Sequence, residues 1–562
     1  MDSILIPLVR SNFYVTESNT HKNRLFFFRH DVWRYVAEPA MANLKTKMFE
    51  EVKLEDALRI LTSRELGFSQ LRLLPKAASM RPIMNLRRRA VTRRDKKLLG
   101  PSINTILGPL YAVLNHEKAG FSLARPEEQD ANDKQMANPE RFGSTMFSVG
   151  DMYQPIKDFK RREAPKGKTF YFAKVDVHAA FDTVPQAAIL RLMNKMPLHH
   201  RYSIQKHFEI QPDQNDMTNG APQAGSGKPS RRWRSSAQAA DHGGDFPQRA
   251  EQQLAPNKRN TVFVESVVKK SYDTRGLLAL LSSHIEQNLV KIGKKYFRQK
   301  DGIPQGSVLS SLLCNYFYAD MEREHLSFLR SAGDGGGGDS LLLRLIDDFL
   351  LITTDRAKAE RFVRVMHAGL PAYGVRVSPA KSLVSFDLAV DGVAVARAAP
   401  GAGFPYCGAL LDTRTLDITR DRARARDRDL VAGDALTVEF ARAPGLALRR
   451  KALHAFRIQS HLMYFDTAHN TLRAVLRNVH NAFAETATKM WAYVRCLPRA
   501  KQPRPRLLVG RCLGPNMHPA VDADGLSRYH QGGHRRGASA SHEQVQGLEA
   551  PRLQVCRQQG AT

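Results

Sequence analysis

Cysteine is scarce: the 562-residue sequence holds five, at Cys314, Cys407, Cys496, Cys512 and Cys556, and no two form a CxxC pair. Such spacing argues against a disulfide framework and a cysteine-rich zinc module, and fits a reducing compartment. Long apolar runs are missing too. None reaches the roughly 18 residues of a membrane span. The N-terminal run in MDSILIPLVRSNF is interrupted by Pro7, with neither the basic start nor the cleavage site of a secretory signal. Acidic residues are in deficit: Lys plus Arg number 85 and Asp plus Glu 55, a net charge of +30. That excess points to a polyanionic partner, nucleic acid or an anionic membrane surface, and by itself implies no catalysis. The chain reads as soluble, intracellular and polyanion-binding.

What is present bounds the rest. With 42% hydrophobic and 8% aromatic residues the chain can build a sizeable core, which excludes a wholly disordered basic protein. At about 150 residues per domain the length suggests three or four domains. Phe26, Phe27, Phe28, Trp33 and Tyr35 interleave with Arg24, Arg29, His30 and Arg34. On composition this pattern reads first as an ordinary helix with a buried aromatic face, the other reading being an RNA-stacking surface. Met48–Leu66 has the spacing of an amphipathic helix, and 171–177 that of a strand with Lys174 and Asp176 on one face. Residues 124–141 read as a polar loop, 211–260 as a flexible or poorly packed insertion, 331–340 as a glycine-rich linker and 421–429 as a solvated mixed-charge face. Residues 446–497 are helical in pattern, and the segment from about 511 cannot easily bury a core.

Acids in apolar surroundings carry the chemistry. Asp176 ends a hydrophobic strand. Asp347 and Asp348 form an apparent two-residue turn between the strands LLLRLI and FLLIT. Burying such acids is costly unless they are paired, hydrogen-bonded or metal-bound. Together they fit a divalent centre, since Mg²⁺ prefers carboxylate oxygens. Two such ions, about 3.5–4 Å apart, serve in-line nucleotidyl transfer. Lys76 and Arg81, brought to one face by a hairpin, would supply a point charge and a fork for a triphosphate. GIPQGS (302–307) opens an apolar helix, with Ser307 near its start and Gly306 allowing close approach by a base or sugar.

The ordered segments LRLLPK…RPI, VDVHAAFD, GIPQGS, LIDDF, GVRVSPAKSLVSF and FPYCGALLDTRT resemble the successive motifs of a reverse transcriptase. FYVTES with RLFFFRHDVW, the 120-residue step from Asp182 to Gly302, and Ile346 before the acidic pair are similar to the telomerase reverse transcriptase family, fungal type. The resemblance covers roughly residues 4–497. It implies an α+β right-hand polymerase fold of fingers, palm and helical thumb, with a helical remnant of an RNA-binding domain in front. The implied boundaries are 1–60 for that remnant with its T motif, 61–170 for the fingers, 171–186 for the first palm motif and 187–300 for a partly flexible insertion. The palm continues over 301–417, the thumb over 418–510, and 511–562 is a tail outside the family pattern.

The resemblance also implies roles. Asp176, Asp347 and Asp348 would be catalytic ligands of two Mg²⁺ ions, and Lys381 the proton donor to leaving pyrophosphate. Lys76, Arg81, Phe181, Gln305 and Gly306 would bind nucleotide, with Phe181 excluding a ribose 2′-hydroxyl. Tyr406, Cys407 and Gly408 would form the primer grip. Phe13, Tyr14, Phe28, Arg29 and Trp33 would contact RNA in the T motif, and His461, Leu462, Asp466 and Asn470 belong to a thumb extension. Implied partners are a telomerase RNA template, the single-stranded telomeric DNA 3′ end, dNTPs and ribonucleoprotein accessory proteins, in the nucleus at telomeres and with no membrane. The start, almost inside the T motif, suggests an N-terminally truncated chain. Ser378 stands where the family often has Asn. Cys512, His518, His530 and His534 have no familiar zinc spacing. Two rival functions are a retroelement or group II intron-like reverse transcriptase and a truncated, non-catalytic nucleic-acid-binding protein.

Overall fold

The computed structural model describes residues 3–499 and 502, apart from 19–24, 77–78, 90–99, 124–141, 198, 212–228, 241–245, 256–257, 259, 331–337 and 423–443. The polar segment 124–141, most of the glycine-rich and mixed-charge segments, and the tail from 511 therefore lie outside the described residues. Contacts divide the chain into units Met1–Ala500 and Lys501–Thr562. The first holds all the elements below.

At its centre is a four-stranded antiparallel sheet in the order Ser340–Leu345, Asp348–Thr353, Tyr171–Asp176, Leu383–Val384. Successive side chains leave a strand on opposite faces, and here both faces are covered. Val175, Phe349 and Leu351 enter a core with the helices Ser310–His325 and Arg356–Ala368. Phe172, Leu350 and Ile352 enter a second core with the helix Tyr153–Glu163 and the hairpin Phe404–Leu411. Burial on both sides explains why FLLIT is apolar throughout instead of alternating.

A five-stranded sheet carries the hairpin Ser69–Lys76/Ser79–Met84 at one edge and Phe49–Val52 at the other. The expected helix over Met48–Leu66 is thus shorter, Leu54–Ser63, because residues 49–52 pair with Tyr296–Gln299. A three-stranded sheet joins Ser230–Ala239, Arg201–Gln211 and Val262–Asp273. Residues 230–239, read from composition as poorly packed, pair in register from Gln211↔Ser230 to Tyr202↔Ala239. Backbone pairing is blind to the polar composition, and arginines are well suited to an edge strand.

Phe13–Glu17 and Leu25–Arg29 form a hairpin, followed by the helix His30–Met48. The aromatic stretch is therefore strand, then helix. Its rings are not sunk in a core: Phe27 and Tyr35 are exposed, and Tyr14 stacks on Trp33 at 4.0 Å. Toward the C-terminus, helices Pro444–Gln459 and Leu472–Arg495 meet through Phe456 and Phe483. The HLMYFDTAHN turn anchors them: Lys157 binds Asp466 at 2.6 Å, and Asn470 accepts from Ile418 N at 2.7 Å. Among the described residues no helix is long and apolar enough to cross a membrane.

Candidate active site

The register of the central sheet places the acids. Asp348 lies directly opposite Asp176 on the neighbouring strand, and Leu345 pairs with Asp348. This leaves Ile346 and Asp347 as the two-residue turn. The sequence reading put both acids in the turn; the structure moves Asp348 into the strand and substitutes Ile346. Ile346 takes φ 59°, a left-handed conformation that is costly for a β-branched residue. Strain of this kind persists where surroundings over-determine the backbone. Here the Val177 amide donates to the Asp347 carbonyl at 3.1 Å.

Burial pushes the Asp347 carboxyl up to about 6, with the charges of Asp348 and Asp176 adding to the rise and Lys381 opposing it. The rise at Asp347 marks a place where negative charge is disfavoured and a cation would relieve it. Lys381 supplies one positive group, donating from Nζ to Asp176 Oδ1 at 2.7 Å. Among the described residues no group of three or more His, Cys, Asp or Glu side chains stands in a metal-holding arrangement. The hard carboxylate donors, with the charges of Asp348 and Asp176 acting on Asp347, fit divalent cations.

The fingers hairpin puts Lys76 and Arg81 on one face, since Arg81 pairs with Leu74 two residues before Lys76. Arg81 reaches electrostatically to Asp182, an acid to which the sequence reading gave no role. Burial raises the Asp182 carboxyl, while a hydrogen bond from Gln305 Nε2 at 2.6 Å and the Arg81 charge act against the rise. Asp182 thus links this hairpin to the GIPQGS segment beside Phe181, which packs against the first core. Its position one residue after Phe181, to which the resemblance gives a role, was the available signal. Gly306 has φ 103°, and a Cβ there would lie 2.6 Å from the Met84 carbonyl. One close approach it permits is by the protein's own backbone, at the Met84 carbonyl. Ser307 precedes the helix, which begins at Ser310, and its Oγ lies 3.0 Å from His284 Nε2.

Cys407 and Gly408, at φ 46° and 83°, make a tight two-residue turn between Phe404–Tyr406 and Ala409–Leu411. Two positive φ values match the twist of a short hairpin. Burial pushes the Cys407 thiol up to about 12. Tyr406 is buried, and its hydroxyl donates to the Asp348 carbonyl at 3.0 Å. It fastens the hairpin to the acidic strand, while Gly408 in the turn is exposed. His461 caps Met463 N at 3.2 Å, Leu462 opens the short helix Leu462–Phe465, and Asp466 and Asn470 anchor this turn to Lys157 and Ile418. Far along the chain, Phe13, Tyr14, Phe28, Arg29 and Trp33 share the N-terminal hairpin and helix start. There Phe28 lies 5.3 Å from Trp33, and Arg29 pairs with Asp31 at 2.7 Å.

Residues 1–44 match the family described as telomerase ribonucleoprotein complex, RNA binding domain. Residues 227–402 match reverse transcriptase (RNA-dependent DNA polymerase), a span that includes Gln305, Gly306, Asp347, Asp348 and Lys381. The telomerase reverse transcriptase of Mus musculus is 28% identical over 517 residues, covering 90% of this chain and 43% of the relative. That of Canis lupus familiaris is 30% identical over 508 residues, covering 88% and 42%. The chain spans about two-fifths of the length of these curated relatives. A solved telomerase from Candida albicans, in complex with a TWJ fragment of telomeric RNA, superposes with a TM-score of 0.59 at 17% identity, covering 88% of this chain and 66% of that one. That likeness is one of fold.

Proposed function

Because this chain belongs to the telomerase reverse transcriptase family, we propose that it adds deoxynucleotides to a telomeric DNA 3′ end, copying an RNA template. The carrying observation is the acid set: Asp176 opposite Asp348, with Asp347 raised by burial beside them. These carboxylates would hold two Mg²⁺ ions, whose chemistry when bound is to activate the primer 3′-hydroxyl and neutralise the pyrophosphate. Lys76 and Arg81 hold the triphosphate from the fingers face, and Gln305 and Asp182 fix the palm surface beneath it. Phe181 limits room at the ribose C2′ position. Lys381, which donates to Asp176, would give a proton to the leaving group. The Cys407–Gly408 turn positions the primer end, and the stacked Tyr14–Trp33 hairpin binds RNA through its exposed face. Positioning and charge stabilisation carry most of the rate.

The implied setting is a nuclear telomeric ribonucleoprotein. The test supplies the chain with a telomerase RNA, Mg²⁺, dNTPs and a telomeric primer. A periodic ladder that disappears in Asp347→Ala supports the reading. Copying of arbitrary templates without a ladder would favour a retroelement-type enzyme, and primer binding without extension a non-catalytic one. Primer affinity is also expected to fall steeply with salt, by about a thousand-fold between 50 and 200 mM if six or more phosphates are neutralised. Filter binding over that range checks it, and a flat affinity would count against a backbone-gripping surface.

A further inference from the structure

We propose that Arg344 is a positioning residue that holds the strained turn presenting Asp347, and that it couples this turn to the helix Ser310–His325. The inference rests on the polymerase reading for its catalytic consequence, though not for its geometry. Arg344 is fully buried, with no exposed surface, three residues before Asp347. Its Nη1 donates to the Ile346 carbonyl at 3.2 Å, the carbonyl of the residue held at positive φ. The remaining donors are taken by the helix and by segment 144–145. Nε bonds Glu322 Oε1, Nη1 reaches Asn315 Oδ1 at 3.2 Å, and Nη2 bonds the Asn315 carbonyl at 3.2 Å and Thr145 Oγ1.

The partners are themselves fixed. Glu322 and Asn315 are buried. Glu322 accepts from Ser144 N at 2.7 Å and from Ser144 Oγ at 2.9 Å. The Arg344 backbone is clamped as well: its amide donates to Ser144 O at 2.9 Å, and its carbonyl accepts from Met146 N at 2.7 Å. A Cβ at Gly143 would overlap Glu322, so that close approach requires glycine.

A buried ion pair is a poor device for stability alone, because apolar residues of similar volume often serve as well or better. What an apolar residue cannot do is donate to the Ile346 carbonyl. The planar guanidinium forks to the helix and to the turn at once, which a lysine ammonium cannot reproduce. From the opposite side the Tyr406 hydroxyl holds the Asp348 carbonyl, so the two acids are pinned by different elements.

The test compares the parent chain with Arg344→Lys, which keeps the charge for Glu322 and loses the fork. Hydrogen exchange reports the turn directly through the Val177 amide, whose acceptor is the Asp347 carbonyl. The expected result is Val177 exchange at least ten-fold faster while the middle of the sheet, around Ala173 and Leu351, stays protected. A loosened turn lowers kcat by about ten- to a hundred-fold, since small misplacements at a reacting centre have such effects. The KM for dNTP stays unchanged and the half-saturating Mg²⁺ concentration rises. Parental exchange at Val177 with parental kcat would overturn the proposal. So would a kcat loss accompanied by uniform loosening of the sheet, which marks a merely structural role. If Arg344→Lys does not fold, the double variant Arg344→Met with Glu322→Met removes both charges and is read by the same two criteria. If the parent itself extends no primer, the polymerase reading fails, and Val177 exchange still decides whether Arg344 holds the turn.

Discussion

Asp347→Asn melts higher than its parent and extends no primer. The parent carboxyl moves from 3.8 to about 6 on folding, chiefly through burial. A folded-state value above the unfolded one means that the native state binds the proton more tightly. Ionisation therefore penalises the native state. The penalty is absent below about pH 4, grows as pH rises through 6, and is complete above it. About two units at 1.36 kcal/mol each amount to roughly 3 kcal/mol. Asn carries no charge, so the gap between variant and parent opens over that pH range. Denaturant midpoints at pH 5 and pH 8, without divalent ions, measure it; a gap that stays constant or shrinks would refute the account. Added Mg²⁺ should stabilise the parent more than the variant, by mass action on the folded state. Extension should fall at least a thousand-fold, because the lost carboxylate is asked both to hold charge and to place it.

That opposition between stability and activity is local and readable. Ile346 at positive φ, three crowded acids, and the buried pair Arg344–Glu322 all lie within one hairpin and its supports. Each is unfavourable alone. Activity accounts for their coexistence better than packing does.

Much of this site was legible in the sequence. Apolar runs ending in Asp176 and flanking Asp347 and Asp348 announced strands with costly acids, and the structure sets those strands side by side. Lys76 and Arg81 share a hairpin face, as their spacing required. The errors have distinct causes. Which acid sits in the turn depends on register, and a one-residue shift moves a side chain from turn to strand. At Gly306 the sequence does not disclose that the Met84 carbonyl fills the space a Cβ would take. Tyr406 lies in the segment that resembles a primer grip, yet its hydroxyl is held by the carbonyls of Leu343 and Asp348, more than fifty residues away. Composition also misjudged residues 230–239, where backbone pairing prevails over polar side chains. Arg344 stood in plain view within LLLRLI, but only tertiary contacts give it an acceptor at Ile346.

Gly302→Ala is expected to lower kcat/KM for dNTP by about a hundred-fold, the scale of small misplacements at a reacting centre. Gly302 holds φ 70°, and a Cβ would lie 2.5 Å from the Phe181 carbonyl and 2.7 Å from Asp182 Cα. Those neighbours are backbone and cannot swing aside as a side chain does. They would have to move, and with them the Phe181 ring, the Ile303–Phe181 hydrogen bond at 2.7 Å and the Gln305–Asp182 contact. Gly293 separates strain from collision. It has φ 62°, is exposed, and has nothing within 4 Å of a Cβ. Gly293→Ala should therefore cost only the left-handed penalty, about 1–2 kcal/mol, with unchanged kinetics. Because the displaced group includes Phe181, Gly302→Ala should also alter the ratio of ribonucleotide to deoxyribonucleotide incorporation, and Gly293→Ala should not. Single-turnover incorporation with each nucleotide type measures both effects. Equal losses in the two variants would assign the effect to backbone strain and remove Gly302 from the nucleotide site.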